Sequence, residues 1–227
     1  MNRFLAASAA VLVIVAGPLA AASAAAPSAR TSATTRADFG PQKASPQVEQ
    51  IVGWAVRTGD HKALPFAVID KVNARLYAFD ASGKPLAATP VLLGMGIGDS
   101  FAPGVSQMDM YQTRPWQRVT PAGRFRADVF EKGHGDSTIW VDYDSGIALH
   151  KMITRNTAER RAERMASAHP ADHRITYGCI NVPAAFYDTV LYPAFKPRNG
   201  IVYVLPEKNA LEAVFNMRFY EPDGMAQ

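Results

Sequence analysis

Apolar positions spaced by three and four residues predict one amphipathic helix at the start of the folded part of the chain. Ser45-Pro46 supplies a cap followed by a proline at the first helical position, and the pattern stops near Gly59. Its apolar positions are Val48, Ile51, Val52, Ala55 and Val56. The helix is expected to pack on the edge of the domain.

Short apolar runs bounded by turn residues predict that strands dominate the rest of the chain. Residues 66–70 and the alternating residues 74–79 are separated by a short turn and form a predicted hairpin. Residues 147–150 follow the turn Asp144-Ser-Gly146, so His150 ends a predicted strand. Further strands are predicted at 90–94, 125–130, 138–143 and 200–205.

The remaining segments predict one long loop and three further helices. Residues 95–119 are dense in Gly, Pro, Asp and Ser and lack a sustained period, which indicates a long excursion. Helices are predicted at 156–167, from Pro183, and at 210–217. Because strands outnumber helices and come mostly as hairpins, the predicted class is mainly β, a sandwich or barrel with peripheral helices.

The N-terminal residues have the pattern of an export signal. A short basic start precedes an apolar run at 4–19, and Ala22-Ser-Ala24 has the form of a cleavage site. We therefore interpret 1–24 as a signal peptide, 25–45 as a flexible leader and 46–227 as one domain. The protein is expected in the periplasm or elsewhere in the cell envelope, with no membrane span after cleavage; an uncleaved anchor is the alternative.

Charge adds little to this picture. The formal net charge is +4, and part of the basic excess lies in the signal and leader, so the folded part is only mildly basic. Neither a basic run nor an interleaved aromatic stripe stands out. Nucleic-acid recognition is therefore not expected.

The cysteine count carries more information. Exported chains meet an oxidising compartment in which cysteines tend to pair, yet Cys179 is the single cysteine of this sequence. It is either a small buried apolar residue or a reactive thiol. Gly178 before it permits a tight or positive-φ backbone, and main-chain N–H groups at 178 and 179 could stabilise an oxyanion.

A nucleophilic thiol needs a basic partner, and His150 is the preferred candidate. It follows the apolar residues Ile147-Ala-Leu149, whereas the other four histidines fall in polar, loop-like stretches. Packing could therefore hold its imidazole in place. A purely structural histidine is the alternative reading of the same position.

The order of several motifs resembles the L,D-transpeptidase (YkuD) family. Gly146-Ile-Ala-Leu-His150, a variable insert and Tyr177-Gly-Cys-Ile-Asn181 resemble the signature of that family. Residues 66–79 resemble its opening hairpin, Thr120-Pro-Ala-Gly-Arg-Phe125 its Thr-Pro-x-Gly-x-Phe segment, and 200–205 its closing strand. The resemblance spans most of the domain.

This resemblance implies a cysteine acyltransferase that acts on peptidoglycan stem peptides, as donor and as acceptor, without cofactor or metal. Cys179 would attack the carbonyl of the third stem residue and release D-alanine, and an amine would resolve the thioester, with His150 as base. The family also implies site-shaping roles for Tyr177, Gly178 and the Lys151 main-chain carbonyl. It implies substrate contacts for Asn181 and Arg174.

Two features depart from the family pattern. Tyr177 stands where family members usually have histidine, and its hydroxyl could preserve that role. Cys179 follows His150 by 29 positions, longer than usual, and the predicted helix 156–167 fills the interval. That helix is either a lid over the cleft or a surface insertion.

Three other functions stay open on the sequence alone. Water could resolve the thioester, which would make the protein a carboxypeptidase or endopeptidase that trims stems. The cysteine could be inert in a wall-binding module. A metal site could form from four residues that are close in sequence: His169, Asp172, His173 and Cys179. Against this, Pro170 interrupts any continuous helix that would carry both His169 and His173.

Overall fold

The computed structural model describes residues 43–101, 104–133 and 136–217. The signal peptide and nearly all of the leader predicted from the sequence lie outside these residues. Within them, five α-helices are present, and the segment between α3 and α4 is a π-helical turn at Tyr187–Leu191. The helices are α1 Pro46–Thr58, α2 Arg161–Ala166, α3 Ala184–Phe186, α4 Tyr192–Phe195 and α5 Leu211–Phe215.

Ten strands occur in the described part of the chain, and they confirm the predicted mainly β class with peripheral helices. Two of them, β4 and β8, pair with each other outside the main sheet. The strands are β1 Phe66–Asp70, β2 Arg75–Phe79, β3 Pro85–Pro90, β4 Leu93–Gly94, β5 Gly123–Gly133, β6 Asp136–Asp142, β7 Ile147–Lys151, β8 Arg174–Thr176, β9 Ile180–Val182 and β10 Gly200–Val204.

Eight strands form one mixed sheet that nearly closes on itself. Its order is β3-β2-β1-β10-β5-β6-β7-β9, with parallel pairs between β1 and β10 and between β7 and β9. Just after β3, Leu92 exchanges two backbone hydrogen bonds of 2.9 Å with Asn181 in β9. The first and last strands of the order are therefore joined at this point, which gives the sheet a barrel-like form.

Alternating side chains of the central strands fill two apolar cores. Ala67 and Ile69 of β1 face a core shared with most strands of the sheet and with the segment from α3 to α4. Phe66 and Val68 face the opposite side, where α1 and α5 cover the sheet. Because both faces are covered, every residue of β1 and β10 is buried.

Helix α1 forms as predicted from its caps and spacing. The Ser45 side chain accepts a hydrogen bond from the Val48 N–H at 3.3 Å. Gly59 ends the helix with φ +66°, and its N–H bonds back to the last turn. The buried positions Val48, Ile51 and Ala55 share one face. None of the helices within the described ranges is long and apolar enough to cross a membrane.

Two predicted elements differ from the structure. The predicted strand 90–94 is only partly present, because β3 ends at Pro90 and of the following residues only Leu93–Gly94 forms a further strand. The predicted helix 156–167 is interrupted: a 3-10 turn at Thr157–Glu159 is followed by Arg160 with φ +49°, and α2 begins only after it. A left-handed residue cannot continue a right-handed helix, so the direction of the chain changes there.

Candidate active site

His150 lies in β7, and Cys179 immediately precedes the strand β9 that pairs with it. In the parallel pair of β7 and β9, His150 is opposite Asn181 and Leu149 is opposite Ile180. Side chains alternate between faces, so Asn181 and the residue two positions before it, Cys179, share the face of His150. Leu149 and Ile180 point to the other face, into the core. The roles of Cys179 as nucleophile and His150 as base stay predictions.

The turn before the nucleophile requires glycine. Gly178 has φ +129°, a conformation that side-chain-bearing residues rarely adopt. A Cβ atom at this position would lie 2.7 Å from Ile147 Cδ1 and 2.8 Å from the Val119 carbonyl oxygen. Because the second neighbour is backbone, it cannot rotate away. The main chain at Gly178 is therefore held in close contact with two neighbouring segments.

Two buried threonines, for which no role was predicted from the sequence, fix the same turn. Thr120 Oγ1 donates to the Gly178 carbonyl at 2.8 Å and accepts from the Gly94 N–H at 3.0 Å. Thr176 Oγ1 donates to the Cys179 carbonyl at 2.6 Å and accepts from the Gly178 N–H at 3.2 Å. The Gly178 N–H expected to face an oxyanion is thus already engaged in this structure. The oxyanion role of the turn stays a prediction.

The Cys179 thiol is half-buried beside the start of β7. Its Sγ lies 3.7 Å from the Gly146 carbonyl oxygen. Burial raises the pKa of Cys179, while a hydrogen bond from the backbone of Ala148 and the positive charge of Arg161 act in the opposite direction. Because burial dominates, the resting sulfur carries its proton. A nucleophilic role therefore requires a base that removes this proton.

His150 has the tautomer that such a base requires. Its Nδ1 lies 2.7 Å from the Lys151 carbonyl oxygen, which can only accept, so Nδ1 carries the hydrogen. The Nε2 atom of the neutral ring then has the lone pair, and Asn181 Nδ2 donates to it at 3.1 Å. The Lys151 side chain turns away to pair with Asp188 at 2.7 Å. The main-chain carbonyl of Lys151, as the family resemblance implied, orients the imidazole.

Tyr177 forms part of an aromatic wall next to the nucleophile turn. The Arg118 guanidinium lies 3.8 Å from the centre of its ring, and Tyr111 meets the ring edge-on at 5.9 Å. Both partners come from the long excursion 95–119. Tyr177 thus connects that excursion to Cys179, and a donor role for its hydroxyl stays a prediction.

Arg174 has a different set of partners. Its guanidinium forms an ion pair with Glu207 and donates to the Lys71 carbonyl at 2.8 Å. Lys71 itself has a fully buried side chain that pairs with Asp99 at 3.1 Å and with Glu207 at 3.5 Å. These contacts give Arg174 a place in an ionic cluster. Its contact with a stem carboxylate stays a prediction.

The four residues considered as metal ligands do not form a cluster. Among the described residues, no group of three or more His, Cys, Asp and Glu side chains is placed to hold a metal ion. His173 is buried, and its ring nitrogens lie 2.9 Å from the Val91 carbonyl and 3.1 Å from the Ser167 carbonyl. Its partners are thus main-chain oxygens that join the segment containing α2 to the sheet.

No protein-family model and no curated protein matches the chain. The chain is similar to solved structures of L,D-transpeptidases. The NMR structure of the catalytic domain of the E. faecium L,D-transpeptidase is 16% identical with a TM-score of 0.37, and the match covers 62% of this chain and 95% of that one. An L,D-transpeptidase crystal structure from Xylanimonas cellulosilytica is 15% identical with a TM-score of 0.37, covering 62% of this chain and 60% of that one.

A further match is the helical cell shape determining protein Pgp2 from Campylobacter jejuni. It is 16% identical with a TM-score of 0.38, and the match covers 65% of this chain and 49% of that one. All three similarities are low.

Proposed function

We propose that the protein is an exported cysteine acyltransferase that acts on peptidoglycan stem peptides, an L,D-transpeptidase. The observation that carries this proposal is the tautomer of His150. Its Nδ1 donates to the Lys151 carbonyl at 2.7 Å, so Nε2, which accepts from Asn181 Nδ2 at 3.1 Å, is the ring atom that would take a proton once that hydrogen bond opens. The order of motifs around these residues supports the choice of substrate.

The proposed reaction proceeds in two half-reactions. Cys179 Sγ attacks the carbonyl carbon of the third stem residue while its proton passes to His150 Nε2. The bond to the terminal D-alanine breaks, and the same proton moves to the leaving amine. An acceptor amine then attacks the thioester and gives its proton to His150, which returns it to the departing sulfur.

The protonated resting thiol fits this sequence of steps. Because burial raises the pKa of Cys179, a base must take the proton as the sulfur attacks, and His150 Nε2 could do so once it gives up the hydrogen bond from Asn181 Nδ2. The expected location follows from the substrate, since stem peptides lie outside the cytoplasmic membrane. Residues 1–24 supply the proposed export signal.

Product analysis on isolated murein tests the proposal. The purified protein should form new peptide cross-links, whereas Cys179→Ala and His150→Ala should not. Shortened stems without new cross-links would mean that water resolves the thioester, which is the carboxypeptidase or endopeptidase alternative. An unchanged murein in all three samples would refute enzymatic action on stems and favour an inert wall-binding module.

A further inference from the structure

The segment between His150 and Cys179 brings one arginine onto the catalytic face of β9. Arg161 begins α2, directly after the left-handed residue Arg160. Its Nη1 donates to Asn181 Oδ1 at 2.7 Å, its Nε pairs with the Glu159 carboxylate at 2.5 Å, and only 12% of its side chain is exposed. The bend at Arg160 thus directs an otherwise charged surface helix toward the site.

The segment that holds Arg161 is docked firmly on the sheet. Met165 of α2 packs in an apolar cluster with Leu92 and Ile175. His173 joins the Ser167 carbonyl to the Val91 carbonyl. Because these contacts lie at the end of α2 away from Arg161, the helix can stay docked when Arg161 is replaced.

Arg161 determines which way the Asn181 amide points. A guanidinium can only donate, so it selects the amide oxygen and leaves the Asn181 nitrogen to face His150 Nε2. A donor at that place suits the neutral ring, whose Nε2 has a lone pair. If the amide rotated by half a turn, its oxygen would face Nε2 and would favour the protonated ring instead.

We propose that Arg161 is a positioning residue that locks Asn181 and thereby holds the His150 ring in its neutral form, ready to take the proton of Cys179 when substrate binding opens the hydrogen bond from Asn181. This proposal rests on the proposed function, because it assumes that His150 is the base. The resulting chain of donors runs from Arg161 through Asn181 and His150 to the Lys151 carbonyl. The positive charge of Arg161 also acts directly on the thiol, in the direction of the thiolate.

Arg161→Met is the test variant, since methionine keeps much of the apolar stem without charge or donors. Arg164→Met is the matched control on the same helix, because Arg164 donates only to the carbonyls of Glu159 and Asp172 within the segment. We expect the pH midpoint of Cys179 alkylation by iodoacetamide to rise by about 0.5 to 1 unit in Arg161→Met. Below the midpoint this makes alkylation about three to ten times slower. Arg164→Met should behave as the wild type.

A second readout follows the imidazole itself. In Arg161→Met the NMR titration of the His150 ring proton should shift to higher pH, while Arg161→Lys, which keeps the charge and supplies an ammonium donor, should restore most of the wild-type value. In an Asn181→Ala background the same arginine replacement should move the His150 titration by less than half as much. Thermal unfolding of each variant identifies any loss of fold.

Equal alkylation and His150 titrations in the wild type and Arg161→Met would overturn this inference. So would an arginine effect of full size in the Asn181→Ala background, because the effect would then bypass the amide. Alkylation with iodoacetamide needs no peptidoglycan. A wild type that fails to act on murein but shows the predicted arginine effect would therefore refute the proposed function and not the positioning role.

Discussion

Replacing Thr120 by valine removes the hydroxyl that holds the nucleophile turn without leaving a cavity. Thr120 is fully buried, and its hydroxyl serves both the Gly94 N–H and the Gly178 carbonyl. Leaving a buried polar group without its partner costs about 1–3 kcal/mol. Two such groups give an expected loss of about 2–6 kcal/mol in the free energy of unfolding.

Thr120→Ser is the matched control, because it keeps the hydroxyl and removes only one methyl group. It should cost about 1 kcal/mol. Urea unfolding measures both changes, and the rate of Cys179 alkylation reports on the turn. We expect Thr120→Val to accelerate alkylation as the turn loosens around the sulfur, while Thr120→Ser leaves it near the wild-type rate. Equal unfolding free energies for Val and Ser variants would refute the role of the hydroxyl.

Three further predictions concern the turn, the ionic cluster and the thiol. Gly178→Ala should lower the free energy of unfolding by about 2–6 kcal/mol, because it adds backbone strain and steric overlap. The control Gly59→Ala has φ +66° but nothing near the added Cβ, so it should lower the free energy of unfolding by only about 1–2 kcal/mol. Equal losses in urea unfolding would contradict this difference. Lys71→Met leaves the Asp99 carboxylate without its buried cation, so we expect a loss of about 3–5 kcal/mol, and a loss below about 1 would be inconsistent. Burial raises the pKa of Cys179, so the folded state holds this proton more tightly than the unfolded one. The stability of the wild type relative to Cys179→Ala should therefore fall as pH rises above about 8.5, and a rise there would contradict the sign.

Local patterns were sufficient to predict the elements whose apolar positions repeat regularly. Helix α1 has a serine cap, a first-position proline and a glycine stop, and it forms with those boundaries. Strand β10 and the first four residues of β1 are continuous apolar runs, and both strands are buried on two faces. In these elements local preference and tertiary packing favour the same conformation.

Elements that depend on their partners could not be predicted in this way. Strand β3 has several partly exposed and small residues, so no apolar run marks it, and its pairing with β2 determines its conformation. The composition of 156–167 favours helix throughout, yet Arg160 is left-handed. Docking of Met165 and the contact from Arg161 to Asn181 fix that bend, and neither is visible in the local sequence.

The residues proposed to react could be nominated from the sequence, whereas the residues that support them could not. A lone cysteine after glycine and a histidine at the end of an apolar strand identified Cys179 and His150. The supporting threonines act through contacts between segments: Thr120 reaches Gly178 across 58 positions of the chain. The position of Thr176, two residues before the Gly-Cys pair, was the one local signal that could have suggested its role.

The measurement that tests the central claim most directly is the intact mass of the protein after exposure to a carbapenem. Members of the family that the motifs resemble are acylated by carbapenems, so a carbapenem adduct reports on a nucleophilic Cys179. We expect the wild type to gain the mass of one carbapenem, Cys179→Ala to gain none, and His150→Ala to react much more slowly. An unshifted wild-type mass, or an equal gain in Cys179→Ala, would contradict the assignment of Cys179 as the nucleophile.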